Sequence, residues 1–135
     1  MATFVNNHGV VTTTRDVVSS TIKTATDLNI FQCIGNGVMV DEVIVRTDAT
    51  GVAGGTALVL KADGVVFFQT AISGLGASAV KDMRSASVTG VKISVPVGTK
   101  YITVNSTVAD CTGAGVATVT LVTRRLDSNS TVDAI

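Results

Sequence analysis

Of the 135 residues, 24 are valine, 20 threonine and 8 isoleucine, so 52 are β-branched, against 6 leucines and a single glutamate. β-Branched side chains are stiff at χ1 and pack well on a pleated surface, and the straight-chain helix formers are scarce here. The expected class is therefore all-β. A chain of 135 residues suits one domain. It is long enough to bury about two thirds of the surface its unfolded form exposes, without disulfide or metal staples.

Ten basic residues balance ten acidic ones, so no net field draws the chain toward nucleic acid or an anionic membrane. The longest strongly apolar run, Val65-Val66-Phe67-Phe68, falls far short of the roughly 20 residues that a membrane-spanning helix needs. Neither nucleic acid nor a membrane is expected as a partner. The opening residues show neither the basic nor the apolar block of a secretion signal, which predicts synthesis in a reducing cytoplasm. Cys33 and Cys111 lie far apart with no C-x-x-C spacing and are read as buried free thiols.

Turn residues divide the chain. Residues 1–15 are polar without a sustained period and are read as an extended N-terminal arm, 16–126 as the β-sandwich domain, and 127–135 as a polar C-terminal tail that frays. Strands are expected over 17–24, 28–34 and 38–47, with Gly35-Asn36-Gly37 closing a hairpin between the second and third. Apolar alternation breaks at Asp41-Glu42, which predicts a bulge or an edge position. Residues 48–55 hold three glycines and read as a mobile loop. Ala62-Asp63-Gly64 is the strongest hairpin signal, joining 56–61 to 65–72. Residues 77–84 read as a short helical turn or an irregular crossing, followed by strands over 87–95, 100–108 and 116–126. In the last, Ala117, Val119 and Leu121 stand opposite Thr118 and Thr120, one face dry and one wet. About eight strands at regular spacing make a two-sheet sandwich, jelly-roll-like, with extended termini.

Reactive chemistry is poorly served. His8 is the single histidine and lies in the expected arm, which leaves a histidine-based triad without a rigid base. One histidine and two distant cysteines do not form a zinc site. Asp41 and Glu42, as neighbours on a strand, are expected on opposite faces as edge or solvent charges rather than as an acid/base pair. Gly74-Leu75-Gly76-Ala77-Ser78-Ala79 matches G-x-G-x-x-A without the βαβ unit a dinucleotide site requires. Asp48, Asp63 and Asp110 sit in turns without calcium-loop spacing. Asn105-Ser106-Thr107 and Asn129-Ser130-Thr131 match the glycosylation sequon by accident. The expectation is a non-enzyme with no cofactor. Arg124-Arg125 could grip a carboxylate or phosphate, but a solvated pair on opposite faces is the better reading.

Three stretches carry a resemblance. They are Gly54-Gly55-Thr56-Ala57-Leu58-Val59-Leu60-Lys61-Ala62-Asp63-Gly64, Ile93-Ser94-Val95-Pro96-Val97-Gly98-Thr99-Lys100-Tyr101-Ile102, and Thr112-Gly113-Ala114-Gly115-Val116-Ala117-Thr118-Val119-Thr120-Leu121-Val122. Together, over about 37–126, the chain resembles the small β-sandwich capsid decoration, or cement, proteins of tailed bacteriophages. The resemblance implies a compact β core, frequent trimerisation, the major capsid protein as partner, and a place on the outer surface of the virion. An arm can add a strand to an exposed sheet edge of a neighbour. Thr3, Phe4 and Val5, with Arg15, Arg124 and Arg125, are the expected capsid or subunit contacts, Phe4 and Val5 being the anchors. The competing expectation is a receptor- or glycan-binding module of a phage fibre that uses loops 51–55 and 110–115. Five aromatic residues and no tryptophan weaken it.

Overall fold

In the computed structural model, which describes residues 10–35, 37–83, 89–90, 93–95, 100–126 and 129–135, strand pairing is organised around one tight turn. The strands are β1 (Val10–Val18), β2 (Leu28–Ile34), β3 (Val38–Thr47), β4 (Ala57–Ala62), β5 (Val65–Ala71), β6 (Val80–Asp82), β7 (Thr89–Gly90), β8 (Ile93–Val95), β9 (Lys100–Ser106), β10 (Val116–Arg125) and β11 (Thr131–Ala134). Asp63 and Gly64 both take positive φ, 51° and 82°, the geometry that lets a two-residue connection follow the strand twist. Outward from this turn, Ala57 faces Ala71, Val38 faces Val95, Leu28 faces Val104 and Val10 faces Arg124. The chain is thus one long antiparallel hairpin.

That hairpin is rolled up. Its halves wind so that β10 also meets β3 and β9 also meets β4. One sheet has the order β1-β10-β3-β6, with β8 pairing β3 beyond β6; the other runs β11-β2-β9-β4-β5-β7. Strands 1-10-3-6 facing 2-9-4-5 are the interleaved order of a jelly roll, an all-β two-sheet sandwich, as expected. Rolling leaves the apolar face of each sheet turned inward, over a core that includes Phe31, Leu58, Leu60, Phe67, Phe68, Ile102 and Leu121.

Three bulges reconcile the sequence with a period of 2. On β2 the partners step from Asn29 to Phe31, so Ile30 and Phe31 are both fully buried. On β5 they step from Phe68 to Val66, so Phe67 and Phe68 both enter the core. On β3 they step from Glu42 to Val40, so Val40 and Val43 are both buried. The break expected at Asp41-Glu42 is this third bulge, and it corrects the expectation of opposite faces. The extra residue keeps both acids off the core face that Val40 and Val43 occupy.

Other expectations are corrected. The arm ends earlier than residue 15, because β1 starts at Val10 and its threonines hold a strand along β10. The Thr14 and Thr120 hydroxyls bond each other at 3.2 Å. The first strand stops at Val18, where Ser19–Thr21 form a 3₁₀ turn, instead of reaching 24. Gly35-Asn36-Gly37 closes no hairpin: β2 and β3 lie in different sheets, so this link crosses between them. The C-terminal tail does not fray throughout, since β11 covers the edge of β2 and inserts Val132, 6% exposed. Within 77–84 there is a short strand, β6, rather than a helical turn. The single strand expected over 87–95 is divided, because Thr89–Gly90 pairs with β5 in one sheet and Ile93–Val95 with β3 in the other.

Candidate functional site

The two ends of the sandwich differ. At one end the loops are tied to each other. The Ser19 hydroxyl donates to the Thr112 carbonyl at 2.7 Å and accepts from the Ala53 amide at 3.3 Å. Ala53 and Thr112 form an isolated bridge, and the Asp48 carboxylate accepts the amides of Thr50 and Gly51. These amide contacts, Gly51 first, hold the Asp48 carboxyl below its ordinary range. The loop expected to be mobile at 48–55 is therefore packed, with Val52 buried. Loops 51–55 and 110–115 meet at the Ala53–Thr112 bridge and through the Cys111 thiol, which donates to the Gly54 carbonyl, while further main-chain groups of both bond residues 19–22 and Leu75.

Among the described residues, the other end is apolar. It gathers the link after Ile34, the Asp63-Gly64 turn, the start of β9 and the end of β10. Ile34 (42% exposed), Val65 (59%), Val66 (43%), Tyr101 (39%) and Leu126 (53%) all stand there. The Asp63 amide bonds the Tyr101 carbonyl and the Leu126 amide bonds the Gly37 carbonyl, which fixes these residues along one rim. β1 also begins at this end, with Val10 opposite Arg124. Val18, Val80 and Val108 are exposed at the loop-tied end, Val18 and Val80 at the ends of their strand pairings and Val108 in the loop after β9, and Ile135 is exposed at the last residue.

The expected contact residues separate by partner. Thr3, Phe4 and Val5, like His8, lie outside the described residues. Arg15 donates to a main-chain oxygen of Ile135 and to the Asp16 carbonyl, holding the last residues against β1. Arg124 is exposed and grips Asp41 with both arms, Nε to Oδ2 at 2.7 Å and Nη2 to Oδ1 at 3.1 Å. The Asp41 hydrogen bond and charge raise the guanidinium above its ordinary range. Arg125 faces the other way, so the two lie on opposite faces as expected, but they are not the solvated pair expected: Arg124 grips a carboxylate and Arg125 is half-buried. It sits opposite the buried Val38 and continues the inward series Ala117, Val119, Leu121 and Thr123. There it borders a cavity of about 110 Å³ with Val11, Val38, Thr123, Ser130, Thr131, Val132 and Asp133. The cavity was not foreseen from sequence, because its far wall is β11, in a segment read as a tail.

Both cysteines are buried free thiols, as expected. Burial, with the Asp133 charge adding, pushes the Cys33 thiol up from 9.0 to about 11. A raised thiol value favours the protonated folded state. The resulting stability is present below pH 9 and is lost as pH rises through 11. Between pH 8 and 11 the protein should lose about 2 kcal/mol more than Cys33→Ala, by urea unfolding at the two pH values. Parallel losses in both proteins would refute it.

The remaining motifs have structural duties. Asn105 is buried on β9 and Asp110 accepts the Thr24 amide. Asp63 pairs with Lys100 at 3.4 Å. Among the described residues no three His, Cys, Asp or Glu side chains come together to hold a metal ion. No helix among them is long and apolar enough to cross a membrane. No protein-family model, curated protein or solved structure matches the chain.

Proposed function

We propose that the chain is a non-enzymatic virion protein of a tailed bacteriophage, a decoration or cement protein made in the host cytoplasm that binds the outer surface of the assembled capsid. A jelly roll by itself does not select this reading, since the fold serves capsid, lectin and enzyme roles alike. The observation that carries it is the apolar rim. Among the described residues, five large apolar side chains stand exposed at one end of the sandwich, against three at the other, whose loops are tied to one another. Apolar surface gathered in this way marks a contact with another protein.

Bound to the major capsid protein, the rim bridges neighbouring subunits. Thr3, Phe4 and Val5 then add a strand to a capsid sheet edge. Assembly as a homo-oligomer, a trimer in this reading, multiplies weak contacts into high avidity. Because only the assembled lattice is bound, the shell is stabilised by mass action. Capsids heated with the protein should rupture at a higher temperature than capsids without it, and equal temperatures reject the reading. Val65→Asp, which changes the exposed first residue of β5, should abolish the protection while moving the protein's own urea midpoint by less than about 0.5 kcal/mol equivalent.

A further inference from the structure

Arg125 occupies a position that the strand pattern reserves for the core. The earlier inward residues of β10, from Ala117 to Thr123, are buried, and Arg125 ends the series at the apolar end of the sandwich. Its Nε is buried and has no hydrogen-bond partner. The other two arginines of the expected contact set are occupied, Arg124 by Asp41 and Arg15 by main-chain oxygens. A guanidinium stays charged at any physiological pH, so an unmade buried N–H bond is a standing cost that a ligand can remove.

The cavity beside it indicates which ligand. At about 110 Å³ it exceeds several-fold the space one water needs. Val11, Val38 and Val132 supply walls suited to methylene groups, and Asp133 is the acid beside it. One guanidinium matches one carboxylate in bidentate geometry, whereas a doubly charged phosphate would face the Asp133 carboxylate with a single cation to balance it. We propose that this cavity is a carboxylate site that takes an acidic side chain, glutamate fitting best, from the protein to which this chain attaches. Its methylenes lie against the valines and its carboxylate accepts a hydrogen bond from the Arg125 Nε–H. The source of the carboxylate rests on the adhesion reading; the site itself does not.

The test uses the isolated full chain and a single-carboxylate probe, N-acetyl-glutamate α-amide, with the matching glutamine compound and inorganic phosphate as controls. Methyl resonances of Val11 and Val132 are followed by NMR. The expected result is saturable shifts with the glutamate probe, none with the glutamine compound, and weaker binding of phosphate. Arg125→Gln should weaken the glutamate probe by about tenfold or more, the size of a lost charge-assisted pair. Asp133→Asn should strengthen it several-fold by removing the opposing charge, and decides the matter if Arg125→Gln does not fold. Shifts that never saturate, equal shifts with the glutamine compound, tighter binding of phosphate, or an Asp133→Asn protein that binds no better would each overturn the site. Such a failure leaves the rupture measurement to judge adhesion. A capsid that gains no heat resistance removes the adhesion reading and leaves the titration standing.

Discussion

Gly115→Ala is expected to destabilise the protein by about 3–5 kcal/mol, at the upper end of what a single added methyl does. A Cβ at Gly115 would lie 1.8 Å from the Gly51 carbonyl oxygen and 2.8 Å from its carbon, both main-chain atoms. Gly51 cannot retreat: it holds φ +80°, and a Cβ of its own would meet the Gly76 carbonyl at 2.4 Å. Three backbone segments therefore touch at the loop-tied end with no side chain between them. Gly76→Ala is the control, because its added methyl would meet nothing within 4 Å and its φ is unremarkable. Urea unfolding should place Gly76→Ala within about 0.5 kcal/mol of the parent. Similar midpoints for the two variants would show that the close approach does not exist.

The second large effect tests the β5 bulge. Phe67→Ala and Phe68→Ala should each cost about 3–5 kcal/mol, roughly 10–18 °C in Tm for a domain of this size. Adjacent residues on a regular strand point to opposite faces, so without the bulge one of the two would lie outside the core and cost far less. With it, Phe67 and Phe68 are 1% and 0% exposed, while Val66 next to them is 43% exposed. Val66→Ala should cost less than about 1 kcal/mol. A Phe67→Ala variant that melts with the parent would remove the bulge, and with it the account of how this run is packed.

Much of the candidate site could be read from residue order. Counting by twos from Ala117 through Val119 and Leu121 reaches Thr123 and then Arg125, so the inward arginine follows from strand parity once β10 is placed. The same parity turns Arg124 outward. The bulge at Asp41 was legible in the broken alternation, but its pairing with Arg124 was not, because only the β3·β10 register brings the two together. The cavity was equally hidden, since it exists only where β11 folds back onto β2, and a short polar segment with one buried valine gives little local sign of pairing. The polar threonines of β1 misled in the same way: their β-branching favours a strand, but only β10 beside them supplies the hydrogen bonds.

Composition and turn chemistry alone determined that this chain pairs strands and that Asp63-Gly64 reverses it, because χ1 stiffness and positive φ act within a few residues. Only the tertiary structure decided the rest: that the hairpin rolls into two sheets, that its bulges double adjacent apolar residues into the core, and that one end ties its loops together while the other presents an apolar rim and a buried arginine Nε without a hydrogen-bond partner. Those outcomes depend on which distant backbone groups meet, and a contact between residues a hundred positions apart leaves no local trace in either of them.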